Sequence, residues 1–264
     1  MADARLPGEG LLDAHVHVDL MGNPRQVASR AAELGLSLVD VTVTPQGYGT
    51  ASRELADFEN VRVAAGLHPW WVADGRCGRG DVALAAGLAR TAALVGEIGL
   101  DASPKHVPEG SWDIQVAALR KVLAATSEGA AAHDEKVLSL HSVRSAGTLL
   151  DLLEEFGLTR SCRCVFHWFT GTGDELHRAV LAGCWFSFGE MSLATRRGRE
   201  YARQVPEGRL LLETDQPAEF GVPGSADAIA ASLERAVAVI SDLRGHDVRP
   251  QVAENGRALL GGIA

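Results

Sequence analysis

A chain of 264 residues, 46% hydrophobic and 22% charged, carries enough apolar material for one large α/β core or two ordinary ones. The formal net charge of −9 excludes a broad electrostatic grip on duplex nucleic acid. It does not exclude a nucleic-acid end entering a pocket whose bound cations dominate the local field.

Met1 to Gly10 carries Asp3, Arg5 and Glu9 and no apolar segment, so no secretory signal is expected. The first predicted element is a strand, Leu11-Leu12 running into Asp13-Ala14-His15-Val16-His17-Val18-Asp19. Side chains alternate along a strand, so His15 and His17 share a face and can grip one ion; a satisfied pair of polar side chains is the other reading. Asn23-Pro24 opens a helix, with Asn as N-cap and Pro in the first turn, and Gly35 ends it. A β-branched strand covers Leu36 to Val43. A helical segment from Ala51 to Phe58 leads to a strand from Val61 to Leu67, which ends in His68-Pro69-Trp70-Trp71.

Helix and strand then alternate. Helix is expected from Asp81 to Arg90, Trp112 to Ser127, Ser145 to Phe156, Asp174 to Ala182 and Ser192 to Gln204. The strands between run from Ala93 to Gly99, Val137 to His141, Cys164 to His167, Cys184 to Phe188 and Arg209 to Asp215, with two helical stretches closing the chain. Arg90 interrupts the apolar run from Val82 to Val95, so no membrane partner is expected. Cys77, Cys162, Cys164 and Cys184 lack zinc-ribbon spacing and read as reduced thiols of a cytoplasmic protein.

Eight strands alternating with helices predict a single-domain (β/α)8 barrel over residues 1–264. The rival is a doubly wound open sheet, which would carry a Gly-rich loop after its first strand; Asp13 to Leu20 has none. Barrel enzymes place their chemistry at the C-terminal ends of the strands. Those ends carry His15 and His17, Glu97, His141, His167 and Asp215. Singly, each has a plain alternative: a loop hydrogen bond, an arginine pair, a turn cap. Together, four imidazoles and two carboxylates aimed into one mouth suit two divalent ions sharing a bridging carboxylate.

Further candidates surround that set. His68 suits a substrate-phosphate contact or a bond to its own loop. Arg144 suits a bidentate phosphate clamp or a salt bridge. Asp101 suits an acceptor that orients a ligand histidine, or a loop cap. Trp70, Trp71 and Trp168 lie beside site residues; Trp168 is assigned to base stacking and Trp71 to packing.

Asp13–Asp19, Gly66-Leu67-His68-Pro69, Val95–Asp101, Ser139–Arg144, Phe166–Gly171 and Leu212–Asp215 resemble, in order, the signature blocks of the TatD family. These are metal-dependent deoxyribonucleases of the amidohydrolase-like barrel superfamily. The His-Trp-Phe-Thr-Gly and Leu-His-Pro-Trp segments look most like the TatD-like component of the Qat anti-phage defence system. The resemblance implies that His15, His17 and Asp215 hold one ion, that His141 and His167 hold the other, and that Glu97 bridges them. It also implies that Asp215 takes a proton from the attacking water. The ions could be Zn²⁺, Mn²⁺ or Co²⁺, with Mg²⁺ less suited to so many imidazoles. The chain departs from the family pattern at Ala102-Ser103-Pro104, at Gln216, in the short loop Ala218 to Gly224 and at Glu254–Arg257, none of which replaces a ligand.

The expected activity is two-metal hydrolysis of DNA ends or single-stranded DNA, with other Qat proteins as partners. One alternative is an amidohydrolase-type C–N or ester hydrolase, which commonly bridges its metals with a carboxylated lysine where this chain has Glu97. Another is a defence-complex subunit whose nuclease site is conditional.

Overall fold

In the computed structural model, which describes residues 10–130 and 136–261, the short aliphatic runs become strands. They are β1 (Leu12–Val16), β2 (Ser37–Val41), β3 (Val61–Leu67), β4 (Leu94–Asp101), β5 (Lys136–Val143), β6 (Cys162–His167), β7 (Trp185–Phe188) and β8 (Leu210–Leu212). The strands follow one another in chain order round a closed barrel, the architecture that the βα alternation predicts. Pairing of β1 with β8, Asp13 opposite Leu212, removes the open-sheet rival. Residues 1–9, where no secretory signal is expected, lie outside the described residues. All four cysteines are free, and no helix of the described residues is long and apolar enough to cross a membrane.

β1 and β4 are buried along their whole lengths, as strands covered on both faces must be. A polar side chain on such a strand loses its water and needs a partner. β4 and β5 also run further than expected, to Asp101 opposite Val143. Gly99 permits this, since a Cβ there would stand 2.0 Å from the His141 carbonyl oxygen.

By proximity along the backbone the described chain forms two compact units, one of residues up to Asp40 with Ser52–Arg62 and Ser187–Leu260, the other of Val41–Ala51 with Val63–Phe186. In the first, the buried Asn255 amide donates to the carbonyls of Glu207 and Leu210, which fixes the closing helix Arg249–Leu260 to the entry of β8. Asn23 stands at the N-cap of helix Pro24–Glu33, but its side chain does not cap that helix. Its Oδ1 instead accepts the Gly224 N–H (2.6 Å) and its Nδ2 donates to the Gly224 carbonyl (3.1 Å), tying down the loop after β8. Asn23→Ala removes both bonds and is expected to cost about 1–2 kcal/mol, read as a thermal midpoint lower by roughly 2–8 °C.

Three helices differ from expectation. The one expected from Ala51 spans Pro45–Glu54; Gly47 and Gly49 lower its helical propensity and mask its start. A short helix, Pro69–Ala73, follows β3 directly. The helix expected from Ser192 to Gln204 is two, Glu190–Leu193 and Arg196–Gln204, because the Thr195 hydroxyl accepts the Gly198 N–H (2.9 Å) and starts a new one.

Candidate metal centre

In the first unit, β1 carries His15 and ends just before His17, and both rings turn toward Asp215 beyond β8. Asp215 Oδ1 lies 3.7 Å from His15 Nε2 and 3.3 Å from His17 Nε2. The two rings meet edge to face, with centroids 5.2 Å apart. Backbone bonds hold this register: Asp215 N–H donates to the His15 carbonyl (2.9 Å), and His17 N–H to the Gln216 carbonyl (2.8 Å).

Asp13 supports the same group. Its carboxylate accepts from Thr214 N–H (3.0 Å), Thr214 Oγ1 (2.5 Å) and His15 N–H (3.2 Å). Burial pushes the Asp13 carboxyl up to about 7; the bonds from Thr214 and His15 oppose the shift, and nearby Asp215 adds to it. Asp40, also buried, accepts the Asp19 N–H at 3.1 Å and is pushed well up by burial and by Asp19. Asp13 has no role in the sequence reading, although it stands two and four residues before His15 and His17. The same alternation that pairs those histidines places it on their face.

In the second unit, Glu97 Oε1 is the focus. His141 Nδ1 is 2.7 Å from it, His167 Nε2 2.9 Å and His68 Nε2 3.2 Å. Gly66 and Thr42 place this carboxylate. Thr42 Oγ1 donates to the Ala64 carbonyl (2.8 Å) and accepts the Gly66 N–H (3.1 Å), while the Thr42 carbonyl accepts the Glu97 N–H (3.0 Å).

The two nitrogens of His141 face different acids, with Nε2 lying 3.2 Å from Asp101 Oδ2. Burial alone would pull this imidazole down; bonds to Asp101 and Glu97 outweigh it and push it up to about 9. Asp101 is itself held from several sides. Its Oδ2 accepts Trp70 Nε1–H (2.7 Å) and faces His106 Nδ1 (3.1 Å), and its carboxylate also accepts the Ser103 N–H (2.6 Å). Burial would raise the Asp101 carboxyl, but the bonds from His141, Trp70 and Ser103 win and hold it at about 2.

His68 differs from the other histidines. Its Nδ1 accepts the Trp70 backbone N–H (3.1 Å), so in the neutral ring the proton sits on Nε2, the atom facing Glu97. In that tautomer Nε2 donates a hydrogen bond, and the ring's lone pair, on Nδ1, is taken by the Trp70 N–H.

Arg144 and Trp168 follow the ends of β5 and β6, the first exposed and the second half-buried. Among the described residues, the non-glycine residues with left-handed backbone are Arg144 (φ 54°), Trp168 (φ 38°) and Asp215 (φ 55°). Each stands at or beside a strand end that carries a candidate ligand. Strain of this kind persists where the surroundings fix a side chain's direction, commonly at functional sites.

A family model described as TatD related DNase matches residues 12–261. The chain belongs to that family. It is 32% identical over 205 residues to the 3'-5' ssDNA/RNA exonuclease TatD of Edwardsiella piscicida, a match that spans 74% of each protein. It is 34% identical over 80 residues to deoxyribonuclease Tat-D of Schizosaccharomyces pombe, a segment that is 30% of this chain and 26% of that one. The crystal structure of YJJV, the TatD homologue of Escherichia coli, shares the fold with a TM-score of 0.76 at 21% identity, over 95% of this chain and 97% of that one.

Membership makes the chain a TatD-type hydrolase and implies a metal dependence, which its donor atoms fit. One ligand atom from each of His15, His17 and Asp215 lies within 4.8 Å of the others. Glu97 and His141 form a similar group with His68 as a neighbour. In this chain His141 presents Nδ1 to Glu97 while Asp101 takes Nε2, the carboxylate–histidine arrangement that orients ligand imidazoles. Asp101→Asn is therefore expected to weaken metal binding by about 10–100-fold. A chelator competition measures it, and an unchanged affinity would remove Asp101 from the centre.

Proposed function

We propose that this TatD-family chain is a metal-dependent phosphodiesterase acting on DNA ends or single-stranded DNA, working as one domain with two divalent ions. His15, His17 and Asp215 would hold one ion, His141 and His167 the other, with Glu97 between them. The observation that carries this reading is the Glu97 carboxylate, buried and faced by three imidazoles through a single oxygen. A buried acid so surrounded is placed to concentrate cations. The Edwardsiella relative, by its name a 3'-5' ssDNA/RNA exonuclease, supports a nucleic-acid substrate.

When bound, the two ions would activate water and neutralise charge on the phosphoryl oxygens. The chain's own groups do the rest. Asp215, half-buried and fixed by backbone bonds, would accept the proton that the attacking water gives up. His68 Nε2–H and the exposed Arg144 would donate to phosphate oxygens, and Trp168 would stack on a base. Neutral imidazoles bind without cancelling the positive charge that the transition state needs. Zn²⁺, Mn²⁺ and Co²⁺ suit this donor set better than Mg²⁺.

Purified protein is expected to shorten a labelled single strand when supplied with Mn²⁺, Zn²⁺ or Co²⁺, and to lose that activity with chelator. Inactivity on every form of DNA and RNA with metal bound would sink the reading. The amidohydrolase alternative would gain from turnover of cyclic amides or lactones by the same preparation. Lys136, a buried lysine, does not support that alternative: it begins β5, at the far end of the strand from His141, and its Nζ donates to the carbonyls of Ala89 and Ala92.

We infer that the protein works in the cytoplasm, where its free thiols stay reduced. We further propose that it serves the Qat anti-phage system, on the resemblance of the Leu67–Trp70 and His167–Gly171 segments. Defence that survives Asp215→Asn would make the nuclease site dispensable there and favour a purely assembly role.

A further inference from the structure

One histidine beside the second group has no part in the nuclease reading so far. His106 lies in the loop between β4 and helix Trp112–Ala130, within the second unit, and its side chain is 41% exposed. The run Asp101-Ala102-Ser103-Pro104-Lys105-His106 folds back on itself because short polar side chains capture backbone N–H groups two residues on. The Asp101 carboxylate accepts the Ser103 N–H (2.6 Å), and the Ser103 hydroxyl accepts the Lys105 N–H (3.4 Å). The His106 N–H then donates to the Ser103 carbonyl (3.0 Å). Gln115 clamps the root of the loop, accepting the Asp101 N–H (2.9 Å) and donating to the Asp101 carbonyl (3.0 Å). The imidazole is thus delivered to Asp101 on a loop already fixed.

One oxygen of Asp101 gathers three groups. Oδ2 lies 3.2 Å from His141 Nε2, 3.1 Å from His106 Nδ1 and 2.7 Å from Trp70 Nε1. Two imidazoles therefore stand around a single atom, one a candidate ligand and the other open to water. Trp70 braces the open one, with ring centroids 4.7 Å apart. Asp101, held at about 2, is a carboxylate and can only accept. It fixes a proton on His106 Nδ1, so a second proton on that ring sits on Nε2. Nε2 has no hydrogen-bond partner among the described residues. A carboxylate that fixes one ring nitrogen and leaves the other free is the arrangement by which catalytic histidines carry protons.

Phosphodiester hydrolysis leaves one proton to be supplied. Water attacks phosphorus and gives a proton to Asp215; the bond from phosphorus to the sugar oxygen breaks, and that oxygen keeps the electron pair. In-line displacement at a two-ion site places the attacking and departing oxygens at different ions. Asp215 belongs with His15 and His17, which leaves the His141 side for the departing oxygen. We propose that His106 is the general acid of this reaction, giving its Nε2 proton to the departing sugar oxygen. The products are a free hydroxyl and a phosphomonoester. The proton on Asp215 passes to solvent and the exposed Nε2 takes one back, which closes the cycle. This inference deepens the nuclease reading and rests on it.

The test compares two phosphodiesters that differ in the oxygen that leaves, using metal-loaded full-length protein. One is a labelled thymidine strand, whose sugar oxygen needs a proton to depart. The other is the p-nitrophenyl ester of thymidine 5'-monophosphate, whose p-nitrophenolate departs without one. The variant is His106→Asn, because its amide can still donate to Asp101 while nothing replaces Nε2. It is expected to lower kcat on the strand by about 10²–10⁴-fold and to hydrolyse the ester at close to the wild-type rate. Metal affinity by chelator competition, and binding of an uncleavable phosphorothioate strand, should stay at wild-type values. An equal loss on both substrates, or a fall in metal affinity, makes His106 a support for Asp101 and overturns the assignment. So does an unchanged kcat on the strand, even where strand affinity falls. Wild-type protein that hydrolyses neither compound with metal bound would instead sink the phosphodiesterase reading itself.

Discussion

Glu97→Gln is expected to lower hydrolysis of a labelled single strand by roughly 10²–10³-fold, the loss that follows removal of one electrostatic partner of a transition state. The substitution conserves volume, so the barrel should fold. It removes the negative charge on which His141 Nδ1, His167 Nε2 and His68 Nε2 converge within 3.2 Å. An amide offers those rings either a neutral oxygen, a poorer ligand for a divalent ion, or an NH₂ group, which repels it. Metal content per chain should fall with the rate. That joint loss separates a ligand from a residue that only packs, because a packing role would move the thermal midpoint and spare the metal. Full metal content with full activity in the variant would overturn the assignment of Glu97.

The strands and the polar groups at their ends were readable because each strand is a short aliphatic run and each candidate follows or closes one. Glu97, His141 and His167 stand out because a polar side chain at the end of an apolar run has to be explained. What positions them was not readable, because it depends on partners far away in the chain. Asp13 receives Thr214, a contact across 201 residues, and Asn23 receives Gly224 across the same separation. Asn23 is followed by proline, so it reads as a helix cap, and its side chain is drawn instead to a loop that no local pattern could place. The left-handed backbone at Arg144 and Trp168 is equally hidden, since neither is of a type that favours it, whereas Asp215 belongs to a type that visits that region. The His68 tautomer depends on an unexpected turn of helix beginning at Pro69. Local sequence therefore named the candidate ligands, and tertiary contacts set their direction.

Gly66→Ala is expected to cost about 3 kcal/mol or more, far beyond the ordinary penalty of a buried methyl group. A Cβ at Gly66 would lie 1.6 Å from the Thr42 carbonyl oxygen and 3.0 Å from Glu97 N. The carbonyl would have to move, and it is the acceptor of the Glu97 N–H. Its own residue is tied down as well, by Thr42 Oγ1 to the Ala64 carbonyl and by the Gly66 N–H. The added methyl therefore crowds the core and strips a buried N–H of its partner at the residue whose carboxylate faces the histidines. For a chain of this size the thermal midpoint should drop by roughly 6–12 °C. Metal affinity should drop with it, because Glu97 is no longer held at its backbone. Gly80→Ala is the control: nothing lies within 4 Å of a Cβ there, in the first turn of the helix Arg79–Thr91, so it should stabilise by about 0.4–1 kcal/mol through the lost freedom of the unfolded chain. If Gly66→Ala behaved like Gly80→Ala, the Thr42 carbonyl would not be what anchors Glu97. If stability fell while metal affinity stayed at the wild-type value, the backbone bond would serve the barrel and not the centre.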